Sequence, residues 1–291
     1  MLVQAFRFLV FSNIYVSLCA MTFTAKTALL LYGNNGSRKV NVLVFFATLF
    51  LYCFHRLFHR SKMIAEERNE ERHHWADEHK LVFYGITISS FIAAAVLMFY
   101  MPIRVWLILI PVGVLGLGYS LPFIPTKSGW KRLRDLSWTK ALWIAIAYGW
   151  LTTFIPVVYH STIADILKPD VLLVFARSCL FVFVLVIPFD IRDMPHDASN
   201  GVKSLPVLVG VDNAIKIALG VLAVFFLLVL IQYYYCNLQE IAACALCISA
   251  LEVCLIVPLS KQSRPDLFYP LAIETSMIFH WLVIWIAVIY L

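Results

Sequence analysis

Nine long apolar runs leave this chain few choices of fold. They lie near 6–31, 41–58, 81–100, 103–123, 138–159, 171–189, 213–235, 239–259 and 268–291. A helix needs roughly 20 apolar residues to cross a bilayer. Within hydrocarbon every backbone N–H and C=O must bond inside the protein, and a helix achieves this within one run. The sequence therefore predicts an all-α polytopic bundle of about nine transmembrane helices, forming one membrane domain over 1–291. Composition agrees, since 62% of residues are hydrophobic and mean hydropathy is +0.85. An ordinary soluble domain is about 45–50% apolar. The first run carries Lys26 and Asn13 and lacks a small-x-small cleavage site, so it reads as a span and not as a cleaved signal.

The formal charge of +6 sits mainly in the connections. Lys62, Arg68, Arg72 and Lys80 fall in one long connection, and Lys127, Lys131, Arg132, Arg134 and Lys140 in or beside the next. Arg192 and Lys203, then Lys261 and Arg264, follow on the same side if the runs alternate. The other side has Arg38, Lys39, Arg104 and Lys168. The positive-inside rule then puts the N-terminus and the long loops in the cytoplasm and the C-terminus outside. No basic stripe alternates with aromatics in a soluble segment, which excludes a nucleic-acid groove. All seven cysteines lie in or beside apolar runs, and Cys244 and Cys247 read as small membrane-core residues without a disulfide framework.

The most informative stretch follows the sixth run. Asp190, Asp193 and Asp197 recur at i, i+3 and i+7, on one face of a helix. Like charges this close repel, and at a membrane boundary they are costly to bury. Magnesium relieves such repulsion and usually keeps substrate phosphates or water among its ligands. The spacing alone fits either a magnesium–diphosphate site for a lipid or a solvated loop that ends a helix.

The whole segment from 190 to 210, DIRDMPHDASNGVKSLPVLVG, resembles the second aspartate motif of the UbiA superfamily of intramembrane prenyltransferases. That motif has the form DxRDxxxDxxxGxxTLPxxxG, and Ser204 stands at its usual threonine. Gly118-Tyr119-Ser120 and Trp130-Lys131-Arg132 also look like the family's Tyr-Ser/Thr and Lys-Arg region, where substrate is gripped. The resemblance implies a Mg2+-dependent transfer of an isoprenyl group from an isoprenoid diphosphate to a lipophilic acceptor. It would assign Asp190, Asp193 and Asp197 to metal, Lys131 and Arg132 to diphosphate, and Tyr119 to the substrate pocket.

The pattern departs from the family at the end of the second run. Active relatives carry a first acidic motif, NxxxDxxxD. Here Tyr52 takes the Asn position, and Arg56 and Arg60 take the two Asp positions. Arginine binds no magnesium but binds phosphate oxygens in a bidentate fork. At i, i+4 the two arginines share a helix face, as a phosphate clamp or as anchors at a helix end. The acids at 66, 67, 70 and 71 either replace the missing pair or line a solvated helix. His55, His59, His73, His74 and His79 suggest a membrane di-iron site, but too few histidines share one side. Two functions follow: a transferase with an atypical site, or a non-catalytic relative that binds a lipid or protein partner.

Overall fold

A computed structural model of the chain describes residues 2–60, 75, 78–126, 129–135, 139–199 and 201–290. The principal helices are α1 (Leu2–Phe11), α2 (Ile14–Tyr32), α3 (Arg38–Arg60), α4 (Lys80–Phe99) and α5 (Ile103–Ser120). They continue as α6 (Thr139–His160), α7 (Pro169–Arg192), α8 (Met194–Ser199), α9 (Leu205–Val209), α10 (Val211–Tyr235), α11 (Glu240–Ile256) and α12 (Thr275–Tyr290). Among the described residues eight helices are long and apolar enough to cross a membrane. The shorter apolar helix Ile103–Tyr119 stands in the place of the fourth expected span. The chain is an integral, multi-pass membrane protein.

Three local features depart from the apolar pattern. The first run is broken: α1 ends at Phe11, and Asn13 takes a left-handed conformation (φ 65°) before α2. Asparagine tolerates that conformation because its short polar side chain bonds locally. Here its amide donates to Cys53 Sγ at 3.5 Å, and its carbonyl accepts from Ser17 Oγ at 2.8 Å. The fourth run also ends earlier than its hydropathy, at Ser120. A short antiparallel ribbon, β1 (Ile124–Thr126) and β2 (Gly129–Lys131), follows it. Finally, Tyr269–Glu274 forms a π-helical turn that leads directly into α12.

The turn between α2 and α3 follows its glycines. Gly33 caps α2 in the left-handed region (φ 67°) and donates its N–H to Leu29 O at 3.0 Å. Gly36 (φ +70°) has no room for a side chain, because a Cβ there would lie 2.8 Å from Ala28 Cβ.

The pairing of α6 with α7 positions the site. Ala141, Ala145 and Gly149 recur every four residues on a buried face of α6. Small residues let membrane helices approach closely. At Gly149 an added methyl group would overlap the Cys179 sulfur and come within 3.3 Å of the Cys179 backbone nitrogen. The two helices run antiparallel. Nine residues before Gly149 is Lys140, and eleven after Cys179 is Asp190, so this contact sets the two side chains opposite each other at one end of the bundle.

A second polar cluster lies toward the other end. Lys26 and Arg177 are both 2% exposed. Lys26 Nζ donates to Ser178 Oγ at 2.5 Å, and Arg177 Nη2 donates to Gln232 Oε1. Nε and Nη1 of Arg177 are buried without a hydrogen-bond partner. His280 shares a hydrogen bond with Ser249 Oγ at 2.7 Å and packs 4.4 Å from the Phe181 ring.

Candidate functional site

One cavity of about 1240 Å³ runs into the bundle between α3, α5, α6, α7 and the π turn. Its body is mostly apolar, with Phe91, Met98, Leu109, Leu151 and Met277 on the walls. Tyr52 and Tyr148 meet there through their hydroxyls at 3.0 Å. Its polar end is built where α3, α5 and α7 finish and α6 begins. Antiparallel threading brings those four ends to one side of the bundle. Arg56, Tyr119, Arg134, Lys140, Asp190 and Asp193 line this mouth.

The mouth is organised by ion pairs. Lys140 Nζ lies 3.0 Å from Asp190 Oδ1 and 3.0 Å from Asp197 Oδ2. All three residues are buried. Asp193 caps α7, and its carboxylate accepts from Arg192 Nε at 2.7 Å and from Arg192 Nη2 at 3.3 Å. The Arg192 guanidinium also stacks 4.9 Å over the Tyr269 ring. Arg56 Nη1 donates to the Phe11 carbonyl at 2.7 Å, which ties the end of α3 to α1. Arg134 donates to His55 Nε2 at 3.1 Å and lies 6.0 Å over the Tyr119 ring.

The expected metal ligands are thus together but not equivalent. Asp190 and Asp193 reach the cavity, whereas Asp197 lies behind Lys140 and does not line it. Among the described residues no three His, Cys, Asp or Glu side chains form a ready-made metal cluster. The donor set still fits magnesium, which commonly takes one or two carboxylates plus phosphate oxygens. Asp190 Oδ2 is buried without a hydrogen-bond partner, the condition a cation would relieve.

Of the expected diphosphate ligands Arg56 lines the mouth, and Tyr119, expected in the substrate pocket, lines it as well. Arg132 follows β2 and is half-buried away from the cavity lining. The side chains of Arg60 and Lys131, and the acids and histidines of 61–74, lie outside the described residues. Lys140, Arg134 and His55 were not expected as site residues. Lys140 read as one more positive charge at a helix start, because nothing local marks which carboxylates it will meet.

The fold recurs in solved membrane proteins. A digeranylgeranylglyceryl phosphate synthase structure superposes with a TM-score of 0.62 at 16% identity, over 99% of both chains. A UbiA homologue from Archaeoglobus fulgidus, bound to GPP and Mg2+, gives 0.61 at 13% identity, over 96% of this chain and 99% of that one. The apo UbiA homologue from Aeropyrum pernix K1 gives 0.67 at 16%, over 94% and 96%. No curated protein matches the sequence. The family model for the UbiA prenyltransferase family matches residues 79–289, which include the aspartate segment, Tyr119 and most of the cavity wall. By fold and by that match the chain belongs to the UbiA prenyltransferase family.

Proposed function

We propose that this protein transfers an isoprenyl group from an isoprenoid diphosphate to a lipophilic acceptor within the membrane. The observation that carries the reading is the cavity itself: an apolar body whose lining also carries the acids Asp190, Asp193, Asp266 and Glu274 and the cations Arg56, Arg134, Lys140 and Arg192. The volume exceeds the roughly 300–1,000 Å³ of ordinary small-ligand pockets and suits a chain with a second molecule beside it. The family match and the ligands of the Archaeoglobus fulgidus homologue support the same chemistry.

In this reading the diphosphate sits at the mouth and the prenyl chain in the apolar body. Asp190 and Asp193 would hold magnesium, with Asp197 completing the acidic cluster through Lys140. Bound magnesium supplies charge neutralisation for the departing diphosphate. Arg56 and Arg134 face the same oxygens, and Arg60, Lys131 and Arg132 are assigned to the diphosphate as well. Fixed cations contribute most where charge grows as the allylic C–O bond breaks, because they need no reorganisation. Tyr119 forms the mouth's wall, and the apolar lining keeps water from the allylic cation.

Isothermal titration of the purified protein with geranyl diphosphate and Mg2+ tests this. Charge-assisted bonds to arginine contribute about 1.5–3 kcal/mol each, so Arg56→Ala should weaken binding about ten- to a hundred-fold. Lysine at 56 should recover part of the loss, since it keeps charge without the fork. Unchanged affinity in Arg56→Ala would retire the clamp. The reversed first motif favours a second reading, a family member that binds an isoprenoid lipid without transfer. Binding of geranyl diphosphate with no product in lipid-extract mass spectrometry would select it.

The mouth is assigned to the cytoplasmic side from the excess of Lys and Arg in the connections at that end. A cysteine placed at Ser199, which is exposed just beyond α7, should react with a membrane-impermeant thiol reagent only after the cytoplasmic face is opened. Labelling from the outside would reverse the topology.

A further inference from the structure

Lys140 begins α6, where an ordinary membrane lysine would send its head to the interface. Instead its ammonium turns inward between two carboxylates, and all three residues are buried, Lys140 at 5% exposed and Asp190 and Asp197 at 2% each. It contacts a different helix through each: Asp190 on α7 and Asp197 on α8, both at 3.0 Å. Buried ions are stable only when paired with good geometry. The Gly149–Cys179 contact described above supplies that geometry.

Charge decides what else the cluster can take. Asp190, Asp193 and Asp197 bring three negative charges. Lys140 offsets one, and Arg192, on Asp193, offsets another. Asp266 and Glu274 add two more acids to the same cavity lining, and within the cluster the buried oxygen without a hydrogen bond is Asp190 Oδ2. A single divalent ion satisfies that oxygen and keeps room in its shell for phosphate. A second ion bridging Asp190 Oδ1 and Asp197 Oδ2 would occupy the ammonium's own position, and two cations at such a distance repel strongly in a low-dielectric site.

We propose that Lys140 is a built-in cation of the aspartate cluster, standing where a divalent ion would otherwise bridge Asp190 and Asp197, so that the chain binds one divalent ion and not two. The inference takes its phosphate ligand from the transferase reading, but the ion count can be measured without that ligand. Lys140 acts here as a positioning residue: it sets the two acids and fixes the number of ions.

Bound Mn2+ counted by electron paramagnetic resonance, on the purified full chain with and without geranyl diphosphate, tests it. One ion per chain is expected for the wild type. Lys140→Met should bind one more ion than the wild type. Its melting midpoint should fall in EDTA and recover with Mg2+. Lys140→Arg should keep a single ion, because a guanidinium can also bridge two carboxylates. A lysine with only a structural role would change stability in Lys140→Met without changing the count. Two ions or none on the wild type, or equal counts on the wild type and Lys140→Met, overturn the proposal. Should Lys140→Met fail to fold, Lys140→Gln takes its place as the charge-removing variant: one ion more than the wild type supports the proposal, and a count equal to the wild type overturns it. If geranyl diphosphate binds under no condition, the transferase reading falls, and the count in its absence still decides the role of Lys140.

Discussion

Gln232→Leu should destabilise the protein by about 1.5–3 kcal/mol, the usual worth of a buried hydrogen bond to a charged group. Among the described residues Gln232 is the one hydrogen-bond acceptor that Arg177 has. Leucine cannot replace it, and Arg177 is 2% exposed, so water does not reach the guanidinium. The double variant Arg177→Met with Gln232→Leu should return close to wild-type stability, because an apolar pair of similar volume avoids the desolvation altogether. Unfolding of the four proteins in one detergent closes the cycle. A double variant as unstable as Gln232→Leu would mean that packing, and not the unpaired charge, sets the cost.

Gly149→Val should have an effect at least as large, reached by another route. The side chain would meet the sulfur and backbone of Cys179 and the Phe175 ring. Overpacking alone costs about 1–3 kcal/mol. If α6 and α7 part to admit the valine, Lys140 leaves Asp190 and Asp197, and opening a buried pair costs a further 3–5 kcal/mol by the usual order of magnitude. Geranyl diphosphate affinity should then fall together with stability, although position 149 does not line the cavity. Cys179→Ala in the same chain should restore part of both, since it removes the sulfur from the contact. A valine variant with wild-type stability and affinity would show that the two helices have slack at this point.

Most of the helical plan was legible because membrane spans announce themselves by length of apolar sequence. The breaks within that plan were less so. Asn13 lies in an otherwise apolar run, and its left-handed turn depends on Cys53, forty residues away. The ribbon after Ser120 carries no alternation long enough to mark a strand. The reversed charges at Arg56 and Arg60 and the aspartate spacing were plain in the sequence. The assignment of Lys140 was not, because it requires knowing that α6 faces α7 in the register fixed by Gly149. Arg134 and His55 likewise meet across 79 residues of chain. Arg177 stood in the sixth apolar run with no local sign that Gln232 would partner it.

The π turn at Tyr269–Glu274 also fixes where α12 points. A π turn closes its hydrogen bonds one residue later than an α turn, so it carries one residue more than the helix it interrupts. Each residue of an α-helix advances the phase by about 100°, from 3.6 residues per turn. Deleting a single residue between 270 and 273 would remove that surplus, let the turn relax to regular α-helix, and leave both the length of the span and the facing of α12 almost unchanged. A deletion between 275 and 279, in regular α-helix, has no such surplus to absorb it, and every side chain beyond it would rotate by about that angle. His280 would swing away from Ser249 and Phe181, and an apolar flank would take its place. The orientation of the last helix therefore rests on a residue count, and a sequence alteration too small to disturb its hydropathy would suffice to turn it.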